Sequence, residues 1–242
     1  MFETAIALLC AHLIADGLNP SHWLLGHKTR PWGLALPLAN VAGWAALALG
    51  GLDLSLLTLL VLSHLVVAAV KVRWPEKTRL SGLSAFSLNQ LVYLAILVGL
   101  VSRHPDAAAQ GLWGHLSAPV QAYIWAGMAA LSGAILAVRT GGQVIKLVTT
   151  PIAPRAPIGG LDMGGRYIGW LERGLTLLFV LYGHPEGVGF LLTAKSIFRF
   201  GDITDASKRE NTEYIIIGTM ASFGWGLIVA ILTAAAVHHW LA

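Results

Sequence analysis

The chain has 242 residues, 56% of them apolar and 12% charged, with a mean hydropathy of +0.69. An ordinary soluble domain is about a quarter charged, so half that level argues for a membrane protein, and apolar runs along the whole length exclude a soluble domain on one anchor. The formal net charge of +4 does not point to nucleic acid, because the basic residues are dispersed among loops, which in membrane proteins become basic for topological reasons.

Apolar segments fall at roughly 3–25, 34–50, 53–71, 84–102, 117–138, 166–182, 187–200 and 213–237. The first begins with Glu3, where a signal peptide would carry positive charge, and no small-x-small site closes it, so nothing resembles a cleavable leader. It holds Cys10, the single cysteine, which allows no intramolecular disulfide and no zinc site of cysteines and reads as a small apolar packing residue. A spanning helix needs about 20 residues. The seventh segment, "GVGFLLTAKSIFRF", is short and carries Lys195 and Arg199, so it suits a half-span or a re-entrant helix buried by its neighbours. Between the fifth and sixth segments, residues 139–165 are rich in Gly and Pro, and Pro151, Pro154 and Pro157 stop any long helix there. That stretch reads as a cytoplasmic linker, whose start suits a short interfacial helix. It separates a five-segment part, 1–138, from a three-segment part, 166–242, within one integral membrane domain. The expected fold is all-α, a polytopic transmembrane helix bundle of about eight segments. No internal repeat is evident.

Lys and Arg placement orients the bundle. Lys28 and Arg30 follow the first segment, Lys71, Arg73, Lys77 and Arg79 the third, Arg139, Lys146, Arg155 and Arg166 the fifth, and Lys195, Arg199, Lys208 and Arg209 end the seventh. The alternate connections hold only Arg103. This positive-inside pattern puts both termini outside, which in a bacterial inner membrane means the periplasm. Trp23, Trp32, Trp74, Trp113, Trp170 and Trp240 fall near segment ends, where an indole buries its ring and keeps its N–H wet.

A band of polar residues runs through this apolar frame. At 1.5 Å per residue, His12 and Asp16 in the first segment, Asn40 in the second, His64 in the third, and Asn89, Gln90 and Tyr93 in the fourth share a layer about 14–20 Å deep, near the middle of a bilayer about 30 Å thick. His12 and Asp16, at i and i+4, share one helix face. Intramembrane ionisable groups usually face a bundle interior and are functional candidates, and histidine with carboxylate is a ligand set for zinc or a similar divalent transition metal. The alternative is polar glue, an Asp–His hydrogen bond that packs helices together with Asn40 and Gln90. A second cluster lies downstream. Glu172 and Lys195 are nearly equidistant from the turn "YGHPEG" and suit an intramembrane ion pair. Lys195 and Arg199 would otherwise snorkel to the interface, leaving Glu172 to its neighbour Arg173. The loop "GDITDASKREN" reads as a solvated cytoplasmic turn suited to docking. "TGGQ" lacks the lysine and spacing of a phosphate loop, and His238–His239 reads as a frayed end.

The stretch "AHLIADGLNPSHWLLGHK" resembles the opening of the domain-of-unknown-function 3307 family of bacterial inner-membrane proteins, whose first helix typically reads His-Leu-x-Ala-Asp. "LSHLVVAAVK" is similar to that family's Ser-His motif, "FSLNQLVYL" to its Asp-Gln-x-x-His stretch, and "GRYIGWLERGLTLLFVL" with the run that follows to the C-terminal half of its longer members. The resemblance implies a site of recurring His and Asp positions related to membrane-embedded metal hydrolases. His12, Asp16 and His64 match it. Asn40 stands where a His is usual, Ala68 and Asn89 where an Asp is, and Tyr93 where a His is. Two histidines and one carboxylate suffice to hold a metal with an open position. Without carboxylates to orient the imidazoles, affinity or activity falls by about 10–100-fold.

Three functions follow as expectations. The first is a non-catalytic scaffold or partner-binding subunit of a membrane complex, on a hydrolase-like fold whose site has decayed. The second is a metal-dependent hydrolase of a lipid-linked substrate, with His12, Asp16 and His64 holding the ion. The third is a small transporter or proton path through Asp16 and the histidines. The departures from the family pattern favour the first. The partners implied are the lipid bilayer and other membrane subunits.

Overall fold

The computed structural model of the chain describes residues 1–18, 35–73, 82–154, 163–198 and 209–242. Among these residues every regular element is helical: α1 (Phe2–Leu18), α2 (Ala35–Leu49), α3 (Leu54–Arg73), α4 (Gly82–Arg103), α5 (Ala118–Ile152), α6 (Gly164–Leu181), α7 (Glu186–Phe198) and α8 (Arg209–Leu241). Each corresponds to one apolar segment of the sequence. Three of them, Gly82–Arg103, Ala118–Ile152 and Glu210–Leu241, are long and apolar enough to cross a membrane. Ala35–Leu49 and Leu54–Val70 are apolar but shorter. α6 has the length of a span but carries Arg166, Glu172 and Arg173, and α7 is described over 13 residues. Trp23, Trp32, Trp74, Arg199 and the docking turn at 201–208 lie outside the described residues.

The outer surface explains the composition. On α4 only 17% of the apolar window is covered by protein, and Leu88, Leu91, Leu94 and Val98 are exposed. A continuous apolar face of this kind is stable against hydrocarbon and unstable against water. α8 repeats the arrangement with Ile228, Ile231 and Leu232.

Contacts divide the chain into two compact units, residues 1–132 with 239–242, and residues 133–238. In the first unit α1 packs on α2 and α4, and α3 on α2 and α4. Ala7, Ala11 and Ala15 recur every fourth residue along α1 and are fully or almost fully buried against a cluster that includes Ala45, Ala48 and Leu49 of α2. Small side chains let two helix backbones approach closely, the packing mode that membranes favour where the hydrophobic effect no longer drives association. Thr4 ties the start of α1 to the loop after α4: its hydroxyl donates to the Pro105 carbonyl (2.8 Å) and accepts from the Ala108 amide (3.2 Å).

Loop chemistry fixes the ends of the helices. α2 stops at Gly50, whose φ of +68° is left-handed and cheap for glycine alone. The Gly51 amide then reaches back to the Ala46 carbonyl (3.1 Å), as in the motif that commonly ends helices. α3 begins at an aspartate cap. Asp53 Oδ1 accepts from the Leu56 amide (3.0 Å) and the Ser55 hydroxyl (2.7 Å), while Oδ2 meets His104 Nδ1 at 3.1 Å. One carboxylate therefore caps α3 and holds the end of α4 beside it.

The Leu56 amide first, and the Ser55 hydroxyl next, hold the Asp53 carboxyl below the usual carboxylate range. A depressed value makes the cap's contribution complete above the unfolded aspartate pKa of about 3.9 and lost as pH falls through the folded value. Asp53→Ala should therefore lower stability in detergent by about 1 kcal/mol at neutral pH. The gap between wild type and variant should narrow progressively as unfolding is measured at pH values falling below the unfolded aspartate pKa of about 3.9.

Candidate functional site

The first unit brings part of the polar layer together. His12 on α1 and His64 on α3 are both 8% exposed, and their ring centroids lie 5.8 Å apart. Tyr93 of α4 stacks against both, 4.8 Å from each centroid. His64 Nδ1 donates to the Leu60 carbonyl at 2.9 Å, which places a proton on that nitrogen and, in the neutral ring, the lone pair on Nε2. Asn40 joins α2 to the layer by donating from Nδ2 to the Ala15 carbonyl (3.4 Å). Asn89 and Gln90 are half-buried, and Asn89 Oδ1 is buried with no hydrogen-bond partner among the described residues.

Asp16 does not complete a ligand set with the two histidines. It lies one turn beyond His12 and is exposed. Among the described residues no group of three His, Cys, Asp or Glu side chains is placed to share a metal ion. The two imidazoles and the phenol form a packed aromatic trio.

In the second unit the charges are organised around one helical irregularity. α5 is α-helical over Ala118–Ala134, turns π-helical over Ile135–Thr140 and resumes as an α-helix over Gly141–Thr149. Within the π turn the Gly141 amide bonds the Leu136 carbonyl five residues back. A carbonyl has two lone pairs, and three successive carbonyls here take a side-chain donor. Trp225 Nε1 donates to Leu136 (2.9 Å), Arg173 Nε to Ala137 (2.8 Å) and Arg173 Nη2 to Val138 (3.1 Å). Arg173 Nη1 donates to the Ser222 hydroxyl (2.8 Å). The Arg173 side chain is thus held by α5 and α8 although it is only 3% exposed.

Glycines make the space. A Cβ at Gly141 would stand 2.6 Å from the Trp225 ring, and one at Gly142 would stand 3.2 Å from Arg173 Nη2. The "GG" of "TGGQ" is thereby explained by the close approach of an indole and a guanidinium, with no phosphate involved.

Glu172, next along α6, faces a different partner. Lys195 Nζ of α7 lies 2.8 Å from Oε1 and 3.0 Å from Oε2, with the two side chains 19% and 12% exposed. The ammonium also sits 5.8 Å from the Phe223 ring centroid, a cation–π contact. Glu172 therefore pairs with Lys195, and Arg173 pairs with backbone.

Sequence reading found Glu172, Arg173 and Lys195 but not the π turn. The available signal was a cluster of glycines, 141 and 142 on one helix and 169 on the next, flanking an arginine in an apolar run. The cap at Asp53 was also missed, although its Asp-x-Ser before an apolar run is an N-terminus signature.

Two substitution series test these assignments. Lys195→Met alone should cost about 3–5 kcal/mol by stranding Glu172, and Glu172→Gln combined with Lys195→Met should recover most of that loss in detergent melts. Arg173→Met keeps the bulk of the side chain while removing donors from two carbonyls and a hydroxyl, at about 1–3 kcal/mol for each group left unsatisfied. It should also raise amide hydrogen exchange across 135–142 relative to the rest of α5. Comparison of the chain with family models, with curated proteins and with solved structures finds no match.

Proposed function

We propose that this chain is a non-catalytic scaffold or partner-binding subunit of a bacterial inner-membrane complex, built as an eight-segment bundle with both termini on the periplasmic side. The topology rests on the alternation of basic and nearly charge-free connections, together with the three helices long and apolar enough to cross a membrane. The resemblance to the domain-of-unknown-function 3307 family belongs to the same reading.

The observation that carries the non-catalytic role is the place of Tyr93. Its ring packs 4.8 Å from the imidazoles of both His12 and His64, at the position where the resembled family has a histidine. Stacked rings at these separations fill space and lock three helices in register. A catalytic metal needs an open coordination position, and the ring that faces both imidazoles here is a phenol, a poorer divalent-metal ligand than the histidine it replaces. Asp16, the remaining carboxylate of the motif, is an exposed group.

Metal analysis decides between this reading and a hydrolase. Protein purified without a His tag should carry well under one transition-metal ion per chain after exposure to zinc, and His12→Ala should leave its assembly state in mild detergent unchanged. One tightly held ion per chain that Asp16→Ala removes would overturn the proposal.

A further inference from the structure

The second unit exposes a cationic and aromatic surface that the scaffold reading does not use. After the π turn, α5 continues as the one strongly amphipathic stretch of the helix, Gly141–Thr149. Arg139, Gln143, Lys146 and Thr150 follow one another at helical spacing and are all exposed, while Val144, Ile145, Leu147 and Val148 are half-buried. α6 runs antiparallel to it. The Trp170 indole nitrogen lies 3.6 Å from the Cβ position of Gly142, so one turn further along both helices Lys146 and Arg166 reach the same level. Arg166 is exposed, and beside it Tyr167 and Trp170 stack edge to face at 5.5 Å.

Among the described residues the cations of this surface, Arg139, Lys146 and Arg166, form no ion pair, and Asp162, the one acidic residue within 139–171, lies outside them. Apolar side chains accompany the cations: Met163, Ile168 and Leu171 are exposed on the same turns of α6. A solvated face would carry mixed charges and few apolar groups. Cations, a Tyr–Trp pair and bare aliphatic side chains together suit the boundary between headgroups and hydrocarbon. Length agrees, because the 35 residues of α5 extend about 52 Å at 1.5 Å per residue, against about 30 Å of hydrocarbon. One end of that helix must leave the apolar layer.

We propose that Lys146 and Arg166, with Arg139, Gln143, Tyr167 and Trp170 on the side toward the π turn, form a binding site for the headgroup of an anionic phospholipid. The two cations take the phosphate, and the aromatic rings pack on the glycerol and upper acyl region. Anionic lipid held here fixes the depth of α5 and α6 in the cytoplasmic leaflet.

The test is native mass spectrometry of the delipidated full chain in detergent, titrated with phosphatidylglycerol or phosphatidylcholine of matched acyl chains. Wild type should retain phosphatidylglycerol preferentially, and Lys146→Gln and Arg166→Gln should each weaken that retention about fivefold, the factor that about 1 kcal/mol per cation implies. The charge-keeping pair Lys146→Arg with Arg166→Lys should retain the lipid, as should Arg103→Gln in the other unit. Should the glutamine variants fail to fold, wild type alone decides, since about 1 M salt shortens screening to about 3 Å and should erase the preference. Equal retention of the two lipids by wild type, or a preference that survives both glutamine substitutions, would overturn the assignment. Displacement of phosphatidylglycerol by millimolar inorganic phosphate would instead assign the cations to a soluble anion.

Discussion

A backbone carbonyl in an apolar interior has no water to turn to, and a buried guanidinium has even less freedom. The second unit meets both demands with one contact, placing Arg173 on the open side of the π turn in α5. The arginine cannot shed its proton, so its charge must be met by dipoles, and the carbonyls of Ala137 and Val138 and the hydroxyl of Ser222 supply them. Trp225 closes the same turn at Leu136. Side chains inserted against a helix ladder are a recognised cause of such irregularities, and here the inserted group comes from α6 and the supporting one from α8. The glycines at 141 and 142 are the steric condition for this contact, since a methyl group at either would meet the indole or the guanidinium. Helix α5, the position of α6 and the anchoring of α8 within this unit all follow from one side chain.

The first unit answers the same demand differently. His12, His64 and Tyr93 meet by ring contacts, and His64 and Asn40 reach backbone carbonyls. His64 commits one nitrogen to Leu60, four residues back in its own helix, and Asn40 commits its amide to Ala15 of the neighbouring helix. The alanine stripe of α1 brings the backbones close enough for such short side chains to reach. His12, His64 and Tyr93 then act as a three-cornered wedge between α1, α3 and α4, each helix contributing one ring.

Much of the fold could be read in the sequence because it depends on coarse quantities. Apolar run lengths locate the eight described helices, and the seventh run, with Lys195 inside it, holds α7, described over 13 residues. Counting residues from the segment ends sets Asn40, His64 and Tyr93 level with His12, and the rings of His12, His64 and Tyr93 meet. Depth fixes a level and not a degree of burial: Asp16, at i+4 from His12 and close to the end of α1, is exposed. Distance from a turn likewise put Glu172 and Lys195 together but left Arg173 ambiguous, since adjacent residues on a helix point about 100° apart. The π turn was illegible for a deeper reason. It adds a residue to a helix without altering composition or periodicity enough to register, and its cause lies 35 residues away in α6.

The arrangement of charge also bears on a proton path. A relay needs groups that exchange protons at modest cost and water that reaches them. In the second unit the carboxylate is held through both oxygens by one ammonium, and the other cation is an arginine fixed by three acceptors. Summed over Glu172, Arg173 and Lys195 the buried set carries one excess positive charge, and that excess is carried by the group least able to release a proton. Such a cluster holds α6 to α7 through Glu172 and to α5 and α8 through Arg173. Within its own unit each set, the aromatic trio and the charged cluster, joins side chains from different helices, so each fastens helices to one another.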